Sequence, residues 1–195
     1  MTKRSTRSNG EISRRRILDA AGEIAATRGF SGTSIGEVSK RSGLPNSSIY
    51  WHFQDKDALF AAVIEDSYER WRADFDARAE ALSTPSDALA VLHESLANFP
   101  AFLRFGHLVI LEQHDTELAA RKAFLRIRQE SLKDMAANFG SMTGCDQSNA
   151  KELAALALAL VDGAFLARAA GEKTLHDSGP LREVFDSYVR RVMAT

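Results

Sequence analysis

Apolar residues recur at helical spacing along almost the whole chain, and no alternating run long enough for a strand stands out. Ser8 and Glu11 stand in capping-box spacing before the first segment, whose Ile17, Ala20, Ala21, Ile24 and Ala25 mark one face. Gly29 stops that helix and Phe30 packs just beyond it. Ser34 and Glu37 form a second capping box, opening a short helix with Val38 inward and Gly43 at its end. Pro45 holds Leu44 extended and suits the first turn of another short helix, residues 45–51. Two short helices joined by a tight turn containing Gly make a helix-turn-helix.

The pattern then predicts a long helix over 55–82, with Leu59, Ala62, Val63, Tyr68, Trp71 and Phe75 along its apolar side. Thr84 is an N-cap with Pro85 at the first helical position, and the helix runs to 99. An apolar, aromatic segment covers 101–111, an amphipathic helix 116–139, and a loop 140–144. Residues 151–170 read as a helix apolar around most of its circumference, which must be buried in a core or at an interface. A loop over 171–180 precedes a last helix striped by Leu181, Val184, Phe185, Tyr188, Val189 and Val192. The expected fold is all-α, with about nine helices. An arm and three-helix domain span 1–54, and a helical domain spans 55–195.

At 195 residues, 45% hydrophobic and 26% charged, the composition is that of a globular protein. The single cysteine, Cys145, makes neither an intrachain disulfide nor a cysteine-rich zinc site, so a reducing, cytoplasmic setting is expected. The longest apolar run, 153–161, is nine residues and ends at Asp162, against the roughly 20 needed to span a bilayer. Net charge is −1, but residues 1–60 carry ten basic and six acidic side chains (+4) and the remainder fifteen and twenty (−5). A basic first third suits a polyanion.

The stretch from Thr33 to Leu59 is the most informative. Ser34, Val38-Ser39, Gly43-Leu44, Ile49-Tyr50-Trp51-His52-Phe53, Lys56 and Leu59 follow the pattern of the TetR family of bacterial transcriptional regulators, which the sequence resembles. With the first helix and Gly29-Phe30, the likeness covers about 45 residues and is specific. Ser39 and Ser42 replace the usual Ala, and Pro45 stands where Ser or Thr often caps the recognition helix. The resemblance implies that Asn46, Ser47 and Ser48 face base edges in the major groove, where Asn pairs with adenine. It implies that Ser34, Pro45, Tyr50, His52 and Lys56 belong to the same DNA-contacting surface, mostly at phosphates. Ile49 and Phe53 point inward. The basic arm, with Lys3, Arg4, Arg7 and Arg14 to Arg16, either reaches DNA or is a solubilising tail.

For the remainder, the resemblance implies a ligand-sensing and dimerising domain. No motif names a ligand. Trp71, Phe75, Phe99, Phe102, Phe105, His107, Phe124 and Phe139 are candidate pocket linings, and each also fits plain core. Glu112 and His114 are candidates to orient a polar ligand. His93, His107 and His114 lack metal-site spacing, so no metal and no cofactor is expected. Leu153, Leu160, Phe165, Leu181, Phe185, Tyr188 and Val192 are the expected dimer interface, since one recognition helix reads few base pairs and a twofold pair reads a palindrome. The expected protein is a homodimeric repressor binding double-stranded operator DNA and released by a small-molecule effector. The alternatives are a constitutive DNA-binding regulator or activator, and a helical ligand-binding protein or enzyme. No nucleophile–base–orienter set or Gly-rich phosphate loop is present, so no catalytic residue is assigned.

Overall fold

The computed structural model describes residues 3–79, 82–96, 101–112, 116–173 and 179–194, with side chains from residue 9 onward. Among the described residues every regular element is a helix, and there are nine: α1 (Lys3–Arg28), α2 (Ile35–Ser42), α3 (Asn46–His52), α4 (Lys56–Ala79), α5 (Pro85–Ser95), α6 (Ala101–Leu111), α7 (Ala119–Thr143), α8 (Gln147–Ala169) and α9 (Gly179–Met193). None is long and apolar enough to cross a membrane. Backbone contacts divide the chain into two units, residues 1–70 with 100–126, and residues 71–99 with 127–195. Helices α4 and α7 contribute to both.

The first unit packs α1, α2 and α3 with the start of α4, with α6 and with the start of α7. Ile17, Leu18, Val38, Ile49, Leu59 and Phe60 are buried here. Phe105 of α6 lies 5.2 Å from Phe60, centroid to centroid. A fully buried ring of this kind contributes about 1.5–3 kcal/mol. Gly106 allows α6 to pass under Phe124, because a Cβ at that position would meet the ring at 2.2 Å. Asp57 caps α7 from a distance in sequence: its carboxylate accepts the backbone N–H groups of Ala119 (2.7 Å) and Ala120 (3.1 Å).

The second unit packs α5, α8 and α9 with the end of α4 and most of α7. Phe185 is fully buried against Phe139, 5.8 Å away. Arg128 of α7 forks onto Asp162 of α8 at 3.2 and 2.7 Å, which pairs the one carboxylate in the apolar middle of α8. Tyr188 of α9 donates its hydroxyl to Glu152 of α8 at 2.6 Å.

The expected boundaries shift at several places. Helix α1 begins at Lys3, so Ser8 lies inside it rather than capping it. Helix α7 begins at Ala119, where Asp57 satisfies its first amides, rather than at 116. The expected loop over 140–144 is helical to Thr143, and the chain turns only at Gly144, with φ +71°. Helix α8 begins at Gln147 rather than 151, because Asp146 accepts the Asn149 N–H at 2.8 Å and caps it. By contrast Thr84 caps α5 with Pro85 in its first turn, as its sequence signals. Phe99 and His114 lie outside the described residues.

Candidate nucleic-acid interface

The interface is assembled from the ends of short helices. Ser34 is extended and caps α2: its Oγ accepts the Glu37 N–H at 3.2 Å, and the Glu37 carboxylate accepts the Ser34 N–H at 3.0 Å. The reciprocal box closes with an ion pair between Arg28 and Glu37. These contacts, the Ser34 backbone N–H first among them, hold the Glu37 carboxyl below its ordinary range.

Gly43 then turns the chain at φ +67°, a conformation that side chains disfavour. The serines that replace the family's usual alanines clamp this turn. Ser39 donates its hydroxyl to the Leu44 carbonyl at 2.7 Å. Ser42 donates to the Ser39 carbonyl at 3.3 Å and accepts the Leu44 N–H at 3.3 Å. Arg16 of α1 donates to the Ser42 carbonyl at 2.6 Å. Pro45 is the N-cap of α3 rather than its first helical residue; it makes no side-chain cap bond.

Helix α3 therefore leaves the turn in a fixed direction. Ile49 and Phe53 are buried, which turns Asn46, Ser47 and Tyr50 outward; Tyr50 is 55% exposed. Ser48 and His52 are half-buried. The His52 pKa is lowered from its usual 6.5, chiefly by burial and then by the Arg14 charge, so the ring is neutral at pH 7.5. Lys56 places its ammonium 4.2 Å from the Phe30 ring centre. Its pKa is lowered by burial, against the opposing pull of Glu112 and Glu37. Ser34, Asn46, Ser47, Tyr50, His52 and Lys56 thus all lie in the first unit, near the helix-turn-helix.

The other expected sites divide. Phe102, Phe105, His107 and Phe124 are buried in the first unit, where His107 sits edge-on to Phe124 and its Nδ1 lies 2.8 Å from the Leu103 carbonyl. Trp71 and Phe75 stack at 5.3 Å in the second unit, with the Trp71 indole N–H donated to Ser95. Glu112 reaches the Ser31 N–H and hydroxyl at 3.5 and 3.4 Å. Of the residues expected at a dimer interface, Leu153, Phe165, Leu181, Phe185 and Val192 are buried within the chain itself, whereas Leu160 and Tyr188 are half-exposed. Val184, in the stripe expected on the last helix, is 57% exposed; sequence reasoning missed the other outward positions, Ala155, Ala159, Gly163 and Leu166 on α8 and Trp51 on α3, the last 76% exposed. A wheel drawn around the buried residues would have found them. It also missed a groove of about 720 Å³ between α7 and α8, floored by Ala136, Ala137, Ala150 and Ala155 and flanked by Lys133 and Lys151.

An all-helical chain whose first unit presents a clamped helix-turn-helix with polar residues outward defines a class of nucleic-acid-binding proteins. Residues 17–63 match the family described as bacterial regulatory proteins, tetR family. A regulator named AcrR from Shigella flexneri is 38% identical over 93 residues, 48% of this chain and 42% of that relative's own length. The regulator LmrA from Bacillus subtilis is 27% identical over 79% of this chain and 85% of its own length. A TetR-family regulator from Cytophaga hutchinsonii superposes with a TM-score of 0.75, at 21% identity, over 94% of this chain and 96% of that one. The fold is shared with a regulator from Saccharomonospora viridis solved with choline (TM-score 0.70, 21% identical, 92% and 96% covered). It is shared too with FadR from Bacillus subtilis solved with stearoyl-CoA (0.66, 16%, 92% and 97%). Residues 17–63 thus carry the N-terminal domain of the tetR family of bacterial regulatory proteins, and the chain shares the fold of a solved member of that family.

Proposed function

We propose that this chain is a homodimeric repressor that binds a palindromic operator through residues 1–54 and lets it go when a small molecule occupies residues 55–195. The observation that carries this reading is the outward row Asn46, Ser47 and Tyr50 on a helix whose other side is buried. Short polar side chains at the N-terminal end of such a helix suit base edges in the major groove, and Ser34, His52 and Lys56 suit the flanking phosphates.

Dimerisation is supported by the exposed face of α8. Ala155, Ala159 and Gly163 let a second helix approach closely, Leu166 at 51% exposure and Val184 of α9 at 57% supply apolar contact, and Leu160 and Tyr188 border them. The buried Leu153, Phe165, Leu181, Phe185 and Val192 would back that face rather than form it. Effector sensing is supported by the ligands named with two proteins of the same fold, choline and stearoyl-CoA, and by the half-buried Trp71–Phe75 stack. In a dimer with two recognition helices, an effector that prefers one separation of those helices shifts operator affinity by mass action.

The test is a gel shift on duplex recovered by the protein from a random-sequence library, beside size-exclusion chromatography of the same sample. The expected outcome is a dimer that shifts the recovered duplex in preference to a scrambled one, with preference lost in Tyr50→Ala. A monomer, or equal shifts of both duplexes that vanish together with salt, would overturn the reading.

A further inference from the structure

The groove between α7 and α8 lies within the second unit and shares only Ala155 with the face proposed for dimerisation. Its walls are two helical rows. Positions 133, 136, 137, 140 and 141 follow one face of α7, and positions 147, 150, 151 and 155 follow one face of α8. Alanine and glycine fill the middle of both rows, so the space that larger side chains would occupy stays open. The floor is closed where the helices meet: a Cβ on Gly140 would stand 3.5 Å from that of Ala150, in ordinary contact.

The charge around this apolar floor is one-sided. Lys133 stands on α7 and Lys151 on α8, both exposed, and no aspartate or glutamate lines the groove. The carboxylates next to them in sequence are engaged elsewhere. Asp134 pairs with Arg72 at 3.2 Å, and Glu152 accepts the Tyr188 hydroxyl at 2.6 Å. Asp146, before the first turn of α8, accepts the Asn149 N–H. Among the described residues no carboxylate pairs with either lysine. An apolar trough with a cation on each wall is complementary to a molecule that carries an apolar chain and one anionic group.

Size selects among such molecules. The volume of about 720 Å³ lies within the roughly 300–1,000 Å³ of small-molecule sites. Eleven residues line the groove, too few for a stable protein interface, to which each side contributes roughly 20–30. A membrane surface is broad and does not enter a trough between two helices, whereas a single chain does.

We propose that the α7–α8 groove binds a small anionic amphiphile, a medium-chain carboxylate, with its chain along the alanine floor and its head group between Lys133 and Lys151. The site is set by α7 and α8 alone, so the proposal does not rest on the repressor reading, and it uses neither Trp71 nor Phe75.

Cys145 is the single cysteine and lies in this lining, half-buried, so its alkylation reads the groove directly. The full chain is treated with N-ethylmaleimide, with and without decanoate below its micelle concentration. Saturating decanoate is expected to slow alkylation by about tenfold, with octanoate about tenfold weaker because it lays down a shorter chain. Acetate, which has no chain, and decyltrimethylammonium, which has the opposite charge, are expected to leave the rate unchanged. Lys133→Glu with Lys151→Glu is expected to weaken decanoate by at least about tenfold, the worth of a charged hydrogen bond, and Lys133→Arg with Lys151→Arg to retain it. Ala137→Trp, at an exposed position of α7, is expected to abolish the protection by filling the trough while melting with the wild type. Equal protection by decanoate and decyltrimethylammonium, or undiminished protection in the Glu variant, overturns the proposal. A thermal shift with decanoate that leaves Cys145 unprotected puts the molecule elsewhere in the chain and overturns it too. Protection without any added ligand that disappears on dilution assigns the groove to a second copy of the chain instead.

Discussion

The helix-turn-helix end of the first unit and the helical pairing of the second are held by different forces. Around the turn at Gly43, hydroxyls, an arginine and a capping box fix a few short segments, and little apolar area is buried by α3 beyond Ile49 and Phe53. In the second unit α8 commits Leu153, Ala154, Ala157, Val161, Ala164 and Phe165 to burial, and α9 commits Leu181, Phe185, Val189 and Val192. Hydrogen bonds fix direction with modest net energy, about 0.5–1.5 kcal/mol each, whereas apolar burial supplies energy without direction. A helix that must be aimed is tied by the first; a pair of helices that must persist is packed by the second.

Substitutions can break or sharpen this contrast. The largest effect belongs to Phe185→Ala, which should lose about 3–5 kcal/mol of stability because the ring is fully buried and leaves a cavity. The urea midpoint of Trp71 emission, from a ring in the same unit, reads it; a loss below about 1 kcal/mol would show that α9 is not held by burial. Ser34→Ala should cost about 1 kcal/mol, the worth of an N-cap, measured by thermal melting. Restoration by Ser34→Thr would assign the loss to the cap. An unchanged melt would mean that Arg28 and Glu37 hold α2 without it.

The smallest effect is a pH dependence at His52. Its pKa in the free protein lies below 6.5, from burial and the neighbouring Arg14 charge. Two consequences have opposite signs. The unfolded chain binds that proton more readily than the folded one, so stability falls as pH drops below about 6.5. A phosphate beside the ring favours the imidazolium, so duplex binding takes up a proton and affinity rises by about a few-fold from pH 8 to pH 6. Titrating duplex affinity against pH for wild type and His52→Gln checks this; parallel curves would remove His52 from the phosphate contacts.

Much of this architecture was legible in the residues because its signals are local. Ser34 with Glu37, Thr84 with Pro85, and Gly43 each announce a boundary within four residues, and all three stand where expected. The misplaced boundaries depend on distant partners. Ala119 starts α7 because Asp57, more than sixty residues earlier, accepts its N–H. Gly140 stays helical inside α7, although two glycines so close together read as a loop from composition alone. At the candidate interface, the outward Asn46, Ser47 and Tyr50 followed from the spacing of Ile49 and Phe53. The small cleft that Trp51 shares with Asn9 and Ser13 did not, because those two come to it from another helix. The aromatic candidates illustrate the same limit: Trp71 and Phe102 look alike in sequence, yet they lie in different units.

The clamped turn has a consequence for how such a protein changes its target. Ser39, Ser42 and Gly43 set the path of the chain, and Ile49 and Phe53 anchor the helix that follows. Positions 46, 47 and 50 answer to neither duty. The letters written there can be exchanged while the frame stays folded, so on the proposed DNA-binding reading a library randomised at those three sites would consist mainly of intact proteins differing in what they read.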